Sequence, residues 1–172
     1  MVSKANPRKR IRLENYDYSS GGAYFITVCT YQKEKTLGDI FRRGAPCGLP
    51  RTKLSELGMI AERTIREIEV KDFVSVDKYV VMPNHVHMII TLSAPPDSRK
   101  GCPYSIFSIV GRYKSLVAYK WLCECKSHNK TMGNVWQRSY FDHVIRSEQD
   151  YLKIWKYIDE NPLKWELDKY YS

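Results

Sequence analysis

The chain has 172 residues, 43% of them apolar, with 28 lysines and arginines against 19 acidic residues and a net charge of +9. That is enough chain for one domain with a real core. No run of about 18 apolar residues exists to span a bilayer, residues 1–7 lack the apolar stretch of a secretory leader, and five cysteines are an odd count for a disulfide framework. A cytoplasmic protein with no membrane partner is expected, and the basic excess is the footprint of a nucleic-acid binder.

In chain order, Lys4, Arg8, Lys9, Arg10 and Arg12 make residues 1–13 a basic, poorly ordered arm. Residues 24–31, rich in β-branched and aromatic side chains, predict a strand after the Gly21-Gly22 break. The Gly/Pro-containing stretch 33–53 is a long connection with room for a short strand or hairpin. Leu57, Ile60, Ala61, Thr64, Ile65 and Ile68 recur at helical spacing and predict a helix over 54–69. Strands follow at 73–81 and 84–92, with Pro83-Asn84 between them. A second helix is expected over 105–123, a polar loop over 126–134 and a strand over 140–146. Ser147 with Asp150 three residues on resembles a capping box, and the helix it starts must end near Asn161, before Pro162. The order β, α, ββ, α, β, α predicts an α+β fold: an antiparallel sheet with helices packed on one face. Cys123 and Cys125 lack a second pair at zinc-finger spacing, so no structural zinc is expected there.

The most informative residues lie in Pro83-Asn84-His85-Val86-His87-Met88. Strand side chains alternate, so His85 and His87 point to one face and Val86 to the other. Two imidazoles side by side on a rigid strand fill a core poorly and hold a metal ion well. On the last helix Tyr151, Ile154, Trp155 and Ile158 form the apolar stripe, with Tyr157 on its flank. Asn161 stands one turn along from Tyr157.

Three blocks in this order resemble the single-tyrosine HUH transposases, in the branch associated with repetitive extragenic palindromes (REPs). They are the His-hydrophobe-His stretch, Val135 to Arg146 (VWQRSYFDHVIR) and Tyr157 to Lys164 (YIDENPLK). Residues 11–18 and 22–27 are also similar to that branch, so the likeness covers roughly 8–168. It implies a ferredoxin-like HUH nuclease fold and one catalytic domain over 14–168. His85 and His87 match the paired metal ligands, Tyr157 the nucleophile and Asn161 the third ligand. The implied reaction is metal-dependent cleavage and rejoining of single-stranded or hairpin DNA through a 5′-phosphotyrosine. Mg²⁺ or Mn²⁺ is the implied cofactor; imidazole ligands suit Mn²⁺ better. The residues name no base for the tyrosine proton. Arg8, Lys9, Arg10, Arg12, Arg112, Lys114, Gln137 and Arg138 are candidate DNA contacts, and His143 is a structural histidine or a neighbour of the catalytic pair. Insertion-sequence relatives act as dimers that swap the tyrosine helix, whereas the palindrome branch implies a monomer. Two other readings stay open: an inactive DNA-binding protein of this fold, or a hydrolase that uses water and needs a carboxylate ligand.

Overall fold

A computed structural model of the protein describes residues 17–18, 20–41, 51–94 and 102–171. The expected basic arm, with Arg8, Lys9, Arg10 and Arg12, lies outside them. The elements are β1 (Gly22–Cys29), β2 (Gly38–Phe41), β3 (Arg51–Leu54), α1 (Glu56–Glu67), β4 (Val74–Met82), β5 (His85–Leu92), α2 (Ile106–Ser127), β6 (Phe141–Ile145) and α3 (Glu148–Glu160). One antiparallel sheet has the order β4-β5-β1-β6. The ribbon β2–β3 is the hairpin expected within 33–53.

The fold is α+β, as expected, but its helices cover both faces of the sheet. Val86, Met88 and Ile90 of β5, with Tyr24, Ile26 and Val28 of β1, pack against Leu57, Ala61 and Ile65 of α1 and Ile109, Val110 and Tyr113 of α2. On the other face Phe25 and Ile89 pack against Ile158, Ile154 and Trp155 of α3. The reason is visible in β5, which is apolar on both sides below its histidines, and such a strand needs cover on both faces. Every residue of β5 except Thr91 is buried.

Helix starts follow local chemistry. Ser55 accepts the Gly58 N–H, and Ser105 and Ser108 form a reciprocal capping box. Ser147 accepts the Asp150 N–H, but the Asp150 carboxylate turns to His143 instead of back to the cap. Helix α2 runs four residues beyond the expected 123, because Cys125 is buried and gives the last turn a packing contact. His128, expected in a loop, caps it by donating its N–H to Glu124.

Gly58 shows how tightly α1 meets the segment before β2. A Cβ there would lie 1.9 Å from the Leu37 carbonyl oxygen, and that oxygen is already held by the Ser55 N–H at 2.9 Å. Gly58→Ala is expected to lower the urea midpoint by the equivalent of about 2–3 kcal/mol with an unchanged slope. A midpoint within experimental error of the parent would contradict this packing.

Candidate catalytic centre

Strand β5 carries His85 and His87 to the α3 face of the sheet, fully buried, with their rings 4.4 Å apart. His85 pairs across to Cys29 and Met82, and His87 to Thr27 and Val80. Each imidazole is oriented through Nδ1. Asn84 places its Oδ1 2.8 Å from His85 Nδ1. Its Nδ2 donates to the carbonyls of Lys33 (3.1 Å) and Tyr170 (2.8 Å). With both amide hydrogens so engaged, Oδ1 must accept, so His85 carries its proton on Nδ1 and keeps a lone pair on Nε2. The Lys33 carbonyl is delivered by a turn in which Gln32 and Lys33 have φ of 52° and 59°. Two consecutive side-chain-bearing residues in this region are costly, and the cost is set against a fixed histidine. His87 Nδ1 lies 2.8 Å from Thr27 Oγ1.

Helix α3 brings Tyr157 over this pair. Its ring packs edge-on against Phe25 (6.0 Å) and lies 5.2 Å from the His87 ring. Its Oη is 3.3 Å from His87 Nε2 and donates to Asp168 Oδ2 at 3.0 Å. The side chain is 36% exposed, so substrate can reach it. Asn161, one turn on, donates from Nδ2 to the same carboxylate oxygen at 2.6 Å. Asp168 Oδ1 accepts the Tyr170 N–H at 2.7 Å, and the Tyr170 ring lies 4.7 Å from His85 and 5.8 Å from His87.

Two buried atoms here have no hydrogen-bond partner among the described residues: His85 Nε2 and Asn161 Oδ1. Asn161 lies near enough to favour a protonated His85, yet its nearby side chain closes no hydrogen bond to Nε2. Unpaired buried polar atoms cost stability, and both are lone-pair donors. His85, His87 and Asp168 offer ligand atoms that all lie within 4.8 Å of one another. Two neutral imidazoles, an amide oxygen and a carboxylate suit a divalent cation, so these residues fit one.

Burial sets the protonation states. It lowers the pKa of His85 to about 4 against the opposing pull of Asp168. It lowers that of His87 too, helped by His85. Both are therefore neutral, ligand-ready imidazoles at pH 7. Burial, and then the Asp168 carboxylate, raise the pKa of Tyr157 above the ordinary phenol value. A carboxylate is a far weaker base than a phenolate, so Asp168 accepts this hydrogen bond without taking the proton.

The structure brings together His85, His87, Tyr157 and Asn161. Of the candidate DNA contacts among the described residues, Gln137 reaches Cys29, the cross-strand partner of His85. Arg112 and Arg138 are exposed, and Gln137 is half-buried with its N–H on the Cys29 carbonyl at 3.0 Å. Lys114 donates to the carbonyls of Gln137 (2.6 Å) and Arg138 (3.2 Å), tying that segment to α2. His143 shares the catalytic face, opposite Phe25, but pairs with Asp150 at 2.8 Å. Asp168, Tyr170 and Thr27 were not foreseen. Asp168 and Tyr170 belong to an aperiodic tail that only the fold brings back. Asn84 was part of the motif, but its orienting role needs the Lys33 and Tyr170 carbonyls.

This is the fold of the HUH transposases, and the chain belongs to the IS200-like transposase family, whose sequence profile matches residues 53–161. It is 36% identical over 179 residues to a Haemophilus influenzae Rd protein of uncharacterised function, covering 95% of this chain and 93% of the relative. A second H. influenzae Rd protein, provisionally named a REP-associated tyrosine transposase, is 22% identical over 159 residues, covering 88% and 77%. Among solved structures, a REP-associated tyrosine transposase bound to a REP hairpin superposes with a TM-score of 0.59 at 21% identity. The match covers 92% of this chain and 76% of that one.

Two outcomes follow from this geometry. Asn84→Ala removes the partner that fixes the His85 lone pair, so a divalent cation held there, probed with Mn²⁺ by calorimetry, should bind about 10- to 100-fold more weakly. The histidines also make stability pH-dependent. Between the ordinary value of 6.5 and about 4 the unfolded chain binds a proton at His85 that the folded chain refuses, so stability falls as pH falls through that window. Urea midpoints should drop from pH 7 to pH 5 in the metal-free protein, and less steeply in His85→Gln.

Proposed function

We propose that the protein is a metal-dependent nuclease-transposase that cleaves and rejoins single-stranded, hairpin-forming DNA, with Tyr157 as nucleophile. The observation that carries this reading is Tyr157 Oη, 3.3 Å from His87 Nε2 and beside two buried lone-pair atoms without a hydrogen-bond partner among the described residues, His85 Nε2 and Asn161 Oδ1. A phenol serving only as packing has no need of such company. The REP hairpin bound to the structural relative supports hairpin DNA as the substrate class.

In this reading Tyr157 Oη attacks a backbone phosphorus. A phosphorus–oxygen bond to the tyrosine forms, and the bond to the 3′-oxygen breaks. The 3′-oxygen leaves as a hydroxyl and takes up a proton, while the phenol gives up its own. The covalent link conserves the phosphodiester, so the same 3′-hydroxyl or another can rejoin the strand. His85, His87 and Asn161 would hold Mn²⁺ or Mg²⁺, which supplies charge neutralisation at the reacting phosphate. Thr27 and Asn84 hold the imidazoles, and Phe25 holds the nucleophile ring edge-on. Tyr157 and both histidines meet within one chain, which favours a monomer carrying a complete site. Arg112, Gln137, Arg138 and the basic residues Arg8, Lys9, Arg10 and Arg12 are proposed to track the DNA backbone.

A second reading has one observation in its favour. Hydrolysis by water needs a carboxylate ligand beside the histidines, and Asp168 is there. Tyr157→Phe separates the two. With hairpin DNA and Mn²⁺, denaturing electrophoresis should show a protein–DNA adduct that vanishes in Tyr157→Phe, in His85→Ala and on chelation. Cleavage surviving in Tyr157→Phe would establish the water mechanism instead. Binding without any adduct would leave only a DNA-binding role.

A further inference from the structure

Next to the catalytic centre lies a cleft of about 340 Å³ whose lining includes Lys35, Pro83, Pro162, Leu163, Trp165 and Tyr171. Its walls are chain neighbours of the site: Pro83 precedes Asn84, Pro162 follows Asn161, and Tyr171 follows Tyr170. Trp165 is the shared partition, with its ring 6.0 Å from His85 on one side and 5.2 Å from Tyr171, edge to face, on the other. Lys35 places its ammonium 4.9 Å from the centre of the Tyr171 ring. Between the cleft and the nucleophile, Lys33 and Lys169 stand over the Tyr170 ring at 5.6 and 5.0 Å. The result is a row of rings running outward from a catalytic histidine, with cations along it.

We propose that this cleft takes one unpaired nucleobase of the DNA strand that crosses the catalytic centre, stacked on Tyr171, with its phosphate paired to Lys35. This rests on the DNA-processing reading above and names the subsite that reading lacks. The chemistry is that of single-strand grooves, where aromatic faces take bases and adjacent cations take phosphates. The volume lies at the small end of sites for compact organic ligands. The cleft is also open: Tyr171 is 47% exposed. Two prolines, Ile40 and Leu163 give apolar walls for a planar base, and the carboxylates of Asp39 and Glu166, which also line the cleft, can accept from a base's exocyclic amino group. A stacking subsite one residue removed from Asn84 and Asn161 would set which phosphate lies against Tyr157, and so where the strand is cut.

The test uses the full chain as Tyr157→Phe, so that binding is read without chemistry. The DNA is a hairpin with single-stranded flanks carrying 2-aminopurine at successive flank positions. Stacking on an aromatic ring quenches this base, and quenching confined to one position is expected. Tyr171→Ala should restore the fluorescence there and weaken binding about 5- to 100-fold, while Tyr171→Phe keeps both. Lys35→Ala should lower affinity and reduce the salt slope by about one phosphate. An abasic nucleotide at that position should erase the difference between the parent and Tyr171→Ala. Uniform quenching along the flanks, or equal affinity in Tyr171→Ala, overturns the subsite. No covalent adduct in the parent protein, with Tyr171-dependent quenching intact in Tyr157→Phe, would sink the nuclease reading and leave the subsite standing. An adduct formed by the parent protein and by Tyr171→Ala with the same position and yield would do the reverse.

Discussion

A slip of one residue between β1 and β5 would turn His85 and His87 toward α1 and α2 and bring Val86 and Met88 to the face of α3. The site therefore depends on that register before it depends on any single side chain. Eight consecutive cross-strand pairs fix it, from Gly22 with Leu92 to Cys29 with His85. The same register places Thr27 opposite His87, within reach of its Nδ1. Apolar packing on both faces makes the slipped register doubly unfavourable, because each face would receive the side chains meant for the other. The polar site is thus held in place by its apolar surroundings.

Around that frame, the site is a set of polar groups whose partners come from distant parts of the chain. Asn84 is the junction. It joins His85 to the turn at Lys33 and to the tail at Tyr170, 51 and 86 residues away in sequence. Asp168 is a second junction, joining Tyr157, Asn161 and the Tyr170 N–H. Such networks are stable only when nearly complete. In this network His85 Nε2 and Asn161 Oδ1 have no hydrogen-bond partner among the described residues, and both side chains lie beside Asp168.

Much of this was readable from the chain. The period-2 placement of His85 and His87, the i,i+4 relation of Tyr157 to Asn161 and the stripe of α3 are local regularities, and local regularities survive folding. The order of elements followed from turn residues and periodicity, and the connection 33–53 left room for the short strand or hairpin that β2 and β3 form. What escaped had no local signal. The side of the sheet taken by α3 is decided by the two-sided apolarity of β5, a property of a neighbour and not of α3 itself. Lys114 is a candidate DNA contact in sequence, and no spacing announces the two backbone carbonyls that the fold sets against its ammonium. Asp168 and Tyr170 sit in a short aperiodic tail, and nothing in their spacing announces a return to β5.

The family profile ends at residue 161, the position of Asn161 itself, while the carboxylate and the aromatic ring that lie against the site come from Asp168 and Tyr170. The candidate metal ligands and the segment that lies against them thus come from different stretches of the chain, joined by hydrogen bonds. The first is locked into a sheet buried on both faces. The second is a short C-terminal stretch anchored by side chains and a few backbone hydrogen bonds. A change in this stretch therefore alters what lies against Tyr157, and through the Tyr170 carbonyl it also reaches Asn84 and the orientation of His85.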